Sequence, residues 1–388
     1  MQQILKTLLF YLFWLSTSST FGQSTMDSLH QNNSHVRDIM DKVSLSAYFS
    51  NSKLNLIFNN YPPKSWWDND GLTRRNRPND IVYRPNNSYL VGLGFSFGNL
   101  GVRASIQTPY SQYDESIYGK SSVFRLRVDG FVKKWYLDAE YYRYSGFLDS
   151  TPQYYDSLQT TPAPLIRDDI ITRSINLHGV RFNNKKFSYK AIFKQKEIQL
   201  RSAFTTYYKF RFRSENYNAL EPFLPPLARN PDSTYGTMTK LRMFDLTAIG
   251  GVAGVLVYKG FYVGGMLGIG AGGQYQTFTL QDGSDGHYSF LPALDFKASG
   301  GYNTERLFIT MQINSEISYS ALPNTFNQEF LAISYFTSFE INCGYRFNMG
   351  PNLHKAVLWA NDVINSTINT VLTGGKGTHS KRNRPNEE

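Results

Sequence analysis

The sequence predicts an all-β fold, an antiparallel up-and-down transmembrane β-barrel of about twelve strands followed by a short C-terminal helix. Three observations predict it. From Ser44 to Phe347 the side-chain character alternates with period two. In Leu331–Phe347 the odd positions read Leu, Ile, Tyr, Thr, Phe, Ile, Cys, Tyr and Phe, while the even positions are mostly polar or small. Such alternation puts the two kinds of side chain on opposite faces of a strand. The alternating segments run about 11 to 17 residues, where globular strands average about five or six. A membrane-spanning strand needs about 9–11 residues plus its wet ends. Finally, tight turns alternate with long polar connections, the hairpin rhythm of a bacterial outer-membrane barrel.

Taken in order, residues 1–22 read as an export signal. Lys6 supplies the basic start, Thr7–Trp14 is the apolar core, and small residues precede a cut after Gly22. That core is too short for a span of about 20 residues. Residues 23–42 form a polar leader, and 43–347 the barrel. Strands are expected near 44–58, 88–97, 100–109, 122–132, 135–147, 171–182, 186–212, 242–258, 261–280, 287–302, 305–320 and 329–347. Tight turns fall at Gly98-Asn99, Lys133-Lys134, Asn183-Asn184, Lys259-Gly260 and Asn303-Thr304, and an even strand count puts both ends of the barrel on that periplasmic side. The long connections are Asn59–Asn87, Ser111–Ser121, Asp149–Asp169 and Ser214–Thr239. Within 186–212 the apolar parity slips: Tyr189, Ala191 and Phe193 share one face, Ile198, Leu200 and Phe204 the other. A bulge or break near Gln195–Glu197 would re-phase it. Residues 348–388 are read as a periplasmic extension, with an amphipathic helix over Leu353–Leu372 and a solvated basic tail.

Composition narrows the classes. The chain has 388 residues, 40 Lys and Arg against 30 Asp and Glu, 28 Phe, 27 Tyr and a mean hydropathy of -0.38. That hydropathy, with only one apolar run of any length, excludes a bundle of membrane helices, and so many aromatics argue against wholesale disorder. The single Cys343 excludes an internal disulfide framework and Cys-cluster metal sites. The histidines show no metal-ligand spacing, so no metal or other cofactor is expected. Export excludes nucleic acid as a partner.

Barrel parity turns the polar face inward. It places Arg103, Arg125, Arg127, Asp129, Asp138, Glu140, Asn176, His178, Lys190, Lys194, Asp295, Lys297, Glu316, Glu340, Asn342 and Arg346 in the lumen. Both signs interleave, so the ions must pair or be hydrated, and a small barrel lined by opposed charges is expected to be largely plugged. The glycines of 250–273 superficially approach a phosphate loop. That motif needs a helix after its strand, and here more strand follows, so they are read as packing space. Ser174, Asn176 and His178 share a face, but Ser174 and His178 stand about 13 Å apart on an extended strand, beyond hydrogen-bond reach. Asp138 and Glu140 are expected to pair with Arg125 and Arg127 on the neighbouring strand rather than to work as a glycosidase pair. No catalytic residue is assigned. Trp66 and Trp67 are the aromatic candidates of the first long loop, and arginines near them suit an anionic surface glycolipid.

Tyr83–Asn87 (YRPNN) before Tyr89–Phe97 (YLVGLGFSF), together with Trp135–Leu148 (WYLDAEYYRYSGFL) and Phe187–Phe204, resembles uncharacterised Bacteroidota outer-membrane proteins grouped as domain of unknown function 4421. The resemblance covers roughly 40–347. It implies an outer-membrane barrel and carries no activity or catalytic residue across.

The reading is thus a non-enzymatic outer-membrane barrel, structural or admitting a small solute through a largely plugged polar lumen. Outer-membrane lipid and lipopolysaccharide are its expected neighbours, and residues 353–388 are the expected contact for a periplasmic partner. Two alternatives stay open: an outer-membrane enzyme modifying lipid or lipopolysaccharide through His178, and a secreted carbohydrate-binding β-sandwich using Trp66 and Trp67.

Overall fold

The computed structural model describes residues 34–39, 41–59, 80–86, 89–108, 112–132, 134–149, 165–224, 234–280, 282–322 and 330–350. The expected signal, Trp66 and Trp67, and the helix and tail after residue 350 lie outside them, as does the side chain of Glu316.

The strands are β1 (Val36–Asp38), β2 (Lys42–Asn59), β3 (Asp80–Arg84), β4 (Tyr89–Phe97), β5 (Leu100–Gln107), β6 (Ser122–Val132), β7 (Trp135–Asp149), β8 (Leu165–Phe182), β9 (Glu197–Gln199), β10 (Ala203–Asn218), β11 (Lys240–Tyr258), β12 (Phe261–Leu280), β13 (Gly283–Asn303), β14 (Leu307–Leu322) and β15 (Phe330–Asn348). One sheet holds thirteen of them. Twelve close a ring, β2-β4-β5-β6-β7-β8-β10-β11-β12-β13-β14-β15, with β15 pairing antiparallel back onto β2 from Leu331↔Asn59 to Asn348↔Lys42. Ring closure leaves no unpaired edge, and it replaces the two-sheet sandwich held as an alternative.

The alternation read from the sequence is the division between inside and outside. On the outer surface Leu93, Leu246, Leu256, Val263 and Ile269 are 65 to 72% exposed, while the intervening side chains are buried. A continuous apolar outer wall around a polar interior is the inverse of a soluble protein and suits contact with lipid. Among the described residues no helix is long and apolar enough to cross a membrane.

The structure corrects two expectations. The segment 186–212 is not one strand. Residues 183–202 leave the wall after β8, fold inward as one turn of π-helix (Lys190–Lys194) and the short β9, and return at β10. Asn183-Asn184 is therefore the start of an inward excursion rather than a tight turn. Its β9 pairs with β1, a strand contributed by the expected polar leader. The Asn59–Asn87 connection, expected as loop throughout, contains β3, which pairs with β2 through Leu56↔Tyr83 and with β7 through Arg84↔Leu148. Since β4 and β5 are short, β3 completes the wall above them at the loop end.

Candidate functional site in the barrel lumen

Three layers fill the lumen. At the short-turn end sits the inward segment 183–202, with all five residues of its π-helical turn buried. Phe187, Tyr189, Ile192 and Phe193 pack against Tyr136, Val180, Tyr207, Tyr262 and Met266 of the wall. The glycine-rich hairpin makes the room. A Cβ on Gly264 would stand 3.1 Å from Ile192 Cγ2, and one on Gly251 would stand 2.7 Å from Tyr207 Cε1. Both positions are where bulky neighbours approach the backbone closely.

A single helical turn ends with unpaired carbonyls that must find donors when buried. The wall supplies them. Tyr262 and Ser299 hydroxyls donate to Ile192 O at 2.8 and 2.9 Å, Gln312 Nε2 to Phe193 O at 2.9 Å, and Asn303 Nδ2 to Ala191 O at 3.1 Å. Gln195, in the left-handed region at φ 55°, turns the chain out of the helix, and its carbonyl accepts from Arg346 Nη2 at 2.6 Å. Two lysines then fasten the segment to the wall by charge: Lys194 Nζ reaches Asp138 Oδ2 at 2.6 Å and Lys196 Nζ reaches Asp129 Oδ2 at 2.5 Å. Lys190 Nζ pairs within the segment, with Glu197 Oε1 at 3.0 Å, and donates to Asn99 Oδ1 at 3.0 Å. Lys190 also lies 4.1 Å from the Phe131 ring centroid.

The middle layer holds the charges. Arg103 Nη1 pairs with Glu340 Oε1 at 3.0 Å, Arg127 pairs with Glu140, and Arg125 stands 3.8 Å from both Glu140 and Glu340. The Arg125 guanidinium also lies over the Tyr142 ring, 5.0 Å from its centroid. Across the lumen Arg213 Nε pairs with Asp245 Oδ2 at 2.8 Å, and Gln274 Nε2 donates to Asp245 Oδ1 at 2.6 Å. Asp295 accepts from Lys209 Nζ at 2.7 Å and from the Tyr207 hydroxyl at 2.8 Å. Lys297 lies 5.3 and 5.0 Å from the Tyr189 and Phe193 ring centroids and donates to the Tyr189 hydroxyl at 3.0 Å. His178 Nε2 sits 3.5 Å from Asp138 Oδ2, facing the lumen and away from the outer wall. Among the described residues no cluster of His, Cys, Asp or Glu could hold a metal ion.

The loop-end layer is aromatic. Phe58, Tyr83, Tyr142, Tyr144, Phe147 and Phe223 are buried together there, and Phe223 stacks on Phe58 with centroids 5.0 Å apart. Residues 219–224 dip into the mouth and are held by neutral and mixed bonds. Tyr83 donates its hydroxyl hydrogen to Phe223 O at 2.5 Å, Arg167 donates to the Pro222 and Glu221 carbonyls at 3.1 and 3.0 Å, and Asp169 accepts from Leu220 N and Glu221 N at 3.0 and 3.1 Å. Between this layer and the charged one lies a small cavity of about 30 Å³ bordered by Tyr142, Tyr144, Ser174, Asn176, Glu215 and Tyr217.

Every sequence-derived lumen residue whose side chain is described thus lies inside, most of them in ion pairs that fall into separate groups: Arg103, Arg125 and Arg127 with Glu140 and Glu340; Lys194 with Asp129 and Asp138; Lys190 with Glu197; and Asp295 with Lys209. Lys190 and Lys194 arrive there from the inward segment, not from a strand. Sequence reasoning omitted Lys196, Lys209, Arg211, Arg213, Glu215, Asp245 and Gln274. The signal for the β10 residues was present, since Phe204, Tyr208, Phe210 and Phe212 take the even, outward positions and leave the odd ones to charge.

The family described as Domain of unknown function (DUF4421) matches residues 46–347. The chain belongs to this family. No curated protein matches it. Among solved structures it is similar to the Pseudomonas putida toluene transporter TodX, at 8% identity and a TM-score of 0.27 over 80% of this chain and 90% of that one. It is also similar to OmpT, an outer membrane protein of Vibrio cholerae, at 9% identity and a TM-score of 0.27 over 78% and 98%. The β domain of the Bordetella autotransporter BrkA gives 12% identity and a TM-score of 0.30 over 79% and 99%. Likeness at this level carries no argument about role, and the barrel stands on its own ring of pairings.

Proposed function

We propose that the protein is a non-enzymatic outer-membrane barrel that is closed at rest, a structural element of the envelope that admits a small solute only when residues 183–202 move. One observation carries this reading: the inward segment fills the short-turn half of the lumen and is bound there through Lys194–Asp138 and Lys196–Asp129. The apolar outer wall supports the membrane placement, and the short turns at the end where β2 begins and β15 finishes support a periplasmic orientation for that end. His178 faces the lumen against Asp138, turned away from lipid at the outer wall.

The test is electrical. In planar bilayers the wild-type protein should give no steady current, while the Lys194→Met, Lys196→Met double variant should give bursts of stepwise conductance as the segment loosens. A wild-type protein with stable open steps overturns the closed reading.

A further inference from the structure

The charges of the lumen point inward; a second set points out. Along β7, β8, β10 and β11 the ladder register aligns Arg143↔Arg173, Arg173↔Asn216 and Asn216↔Arg242. Arg143, Arg173 and Arg242 are exposed, on the face that elsewhere carries Leu137, Ile175, Leu177, Phe244 and Leu246. Neighbouring strands lie about 4.8 Å apart, so the three Cα atoms span about 14 Å at one height. Lys240, one step nearer the loops and opposite Asn218, is exposed as well.

Like charges directly opposite each other on a sheet repel, and among the described residues none of the three arginines makes an ion pair. Asp169, near the start of β8, is engaged by Arg167 and the Leu220 and Glu221 amides. The exposed Asp168 lies five residues from Arg173, about 16 Å along the strand. The row also has a fixed height: it sits where the outward apolar run of β7, β8 and β11 ends, on the loop side. A molecule matching it must present several negative charges above an apolar body that lies against the wall.

We propose that Arg143, Arg173 and Arg242 form a binding site on the outer wall for the phosphate groups of a phosphorylated glycolipid of the outer leaflet. The inference rests on the membrane placement proposed above. Guanidinium groups suit it, because each offers a planar fork to a phosphate. The acyl chains of the same lipid would cover Ile175, Leu177 and Leu246 below.

The test uses the full-length protein in phosphatidylcholine nanodiscs containing a small fraction of bisphosphorylated lipid A or its dephosphorylated form, with bound lipid counted by native mass spectrometry. Wild type should retain the phosphorylated lipid preferentially. The R143Q/R173Q/R242Q variant should hold it about a hundredfold more weakly, and R173Q alone about fivefold more weakly, each removed charge near the surface contributing alike. Arg181, exposed on the same strand but level with Trp135 at the other end of the wall, provides the control. R181Q should change nothing. Unchanged retention in the triple variant, equal loss in R181Q, or equal retention of dephosphorylated lipid overturns the site. Displacement by inorganic phosphate alone overturns the lipid as its occupant. Gel mobility with and without boiling is read on the same samples. A wild-type protein that shows no shift and stays out of the discs overturns the membrane placement itself, a failure distinct from that of the lipid site.

Discussion

The two ends of the lumen are closed by different physics. At the short-turn end a segment of the chain is held by buried ion pairs and by carbonyls that take hydrogen bonds from the wall. At the loop end, residues 219–224 are held mainly by aromatic stacking around Phe58, Tyr83 and Phe223, with bonds from Tyr83 and Arg167 to backbone carbonyls and from two backbone amides to Asp169. Aromatic contact is additive and short-ranged, and losing one ring leaves a cavity. A buried ion pair is all-or-none, since removing one partner leaves the other charged in a dry interior. The loop-end closure should therefore fail locally and by degrees, the short-turn closure abruptly.

The largest expected effect follows from that difference. Replacing Lys194 alone by Met leaves Asp138 without its 2.6 Å partner, while Lys196 stays bound to Asp129. A loss of about 3–5 kcal/mol is expected, read as a drop in the temperature at which the barrel loses its resistance to detergent. Replacing Lys194 and Asp138 together, by Met and Leu, should recover most of that stability, because a well-packed apolar pair does as well as a buried ion pair. If the double variant is no better than the single one, the charges do more than hold each other. The loop end should respond differently. Phe223→Ala empties a fully buried ring site, and core Phe→Ala changes cost about 3–5 kcal/mol at most sites. Here the site borders loops that can collapse into it, so an effect at or below the lower limit is expected. Limited proteolysis should find new cleavage confined to residues 219–224, with the strand core still resistant. Loss of the whole barrel instead would show that the loop-end layer is not a local closure.

How much of this was legible in the sequence also divides by region. The wall was readable because lipid and lumen impose opposite requirements on alternate residues, so Arg125, Arg127, Asp138 and Glu140 declared their face by position alone. The inward segment was not. Tyr189, Ala191 and Phe193 alternate as a strand would, yet the same three side chains pack equally well inside a barrel when the backbone coils into a single turn. The slip of parity near Gln195 and the lysines at 190, 194 and 196 marked the anomaly without giving its shape. A buried short helix has no amphipathic period to read, since every side of it is covered. The pairing of β3 was hidden for another reason: five residues, Asp80–Arg84, are too few for periodicity to stand out from a loop. The outward arginines are hidden from such a reading because lumen parity gathers only the charges that obey it, and Arg143 and Arg173 break it.

Two smaller effects sharpen the comparison. Gly264 leaves space for Ile192, and a Cβ there would also stand 3.0 Å from Gly254 O. Gly264→Ala should push on the inward segment and cost about 1–3 kcal/mol by overpacking. The paired change Gly264→Ala, Ile192→Leu should return part of it, since the contact atom is the γ2 methyl of Ile192, which an unbranched Cβ lacks at equal side-chain volume. If Ile192→Leu adds its own loss to that of Gly264→Ala, the strain lies against the backbone of β11 and not against the segment.

The smallest effect belongs to the loop side, at the single helical turn Glu115–Tyr118. Asp114 caps it, its Oδ1 accepting from Ser116 N at 2.9 Å and from the Ser116 hydroxyl at 2.7 Å. Those two hydrogen bonds, the side-chain one foremost, hold the Asp114 carboxyl below the ordinary value of 3.8. A folded-state value below the unfolded one means the cap contributes fully above about pH 4 and is lost as pH falls through the folded value. Acid should thus fray this turn, while the Phe58–Phe223 ring contact itself has nothing to titrate and only the Asp169 bonds to the Leu220 and Glu221 amides beside it are acid-sensitive. Chemical shifts of the Ser116 and Tyr118 amides followed from pH 6 to pH 2 would report it. Asp114→Asn keeps an acceptor and should flatten the pH response with little change in the turn. A pH response that survives in Asp114→Asn would mean that acid acts on this end of the barrel through another group.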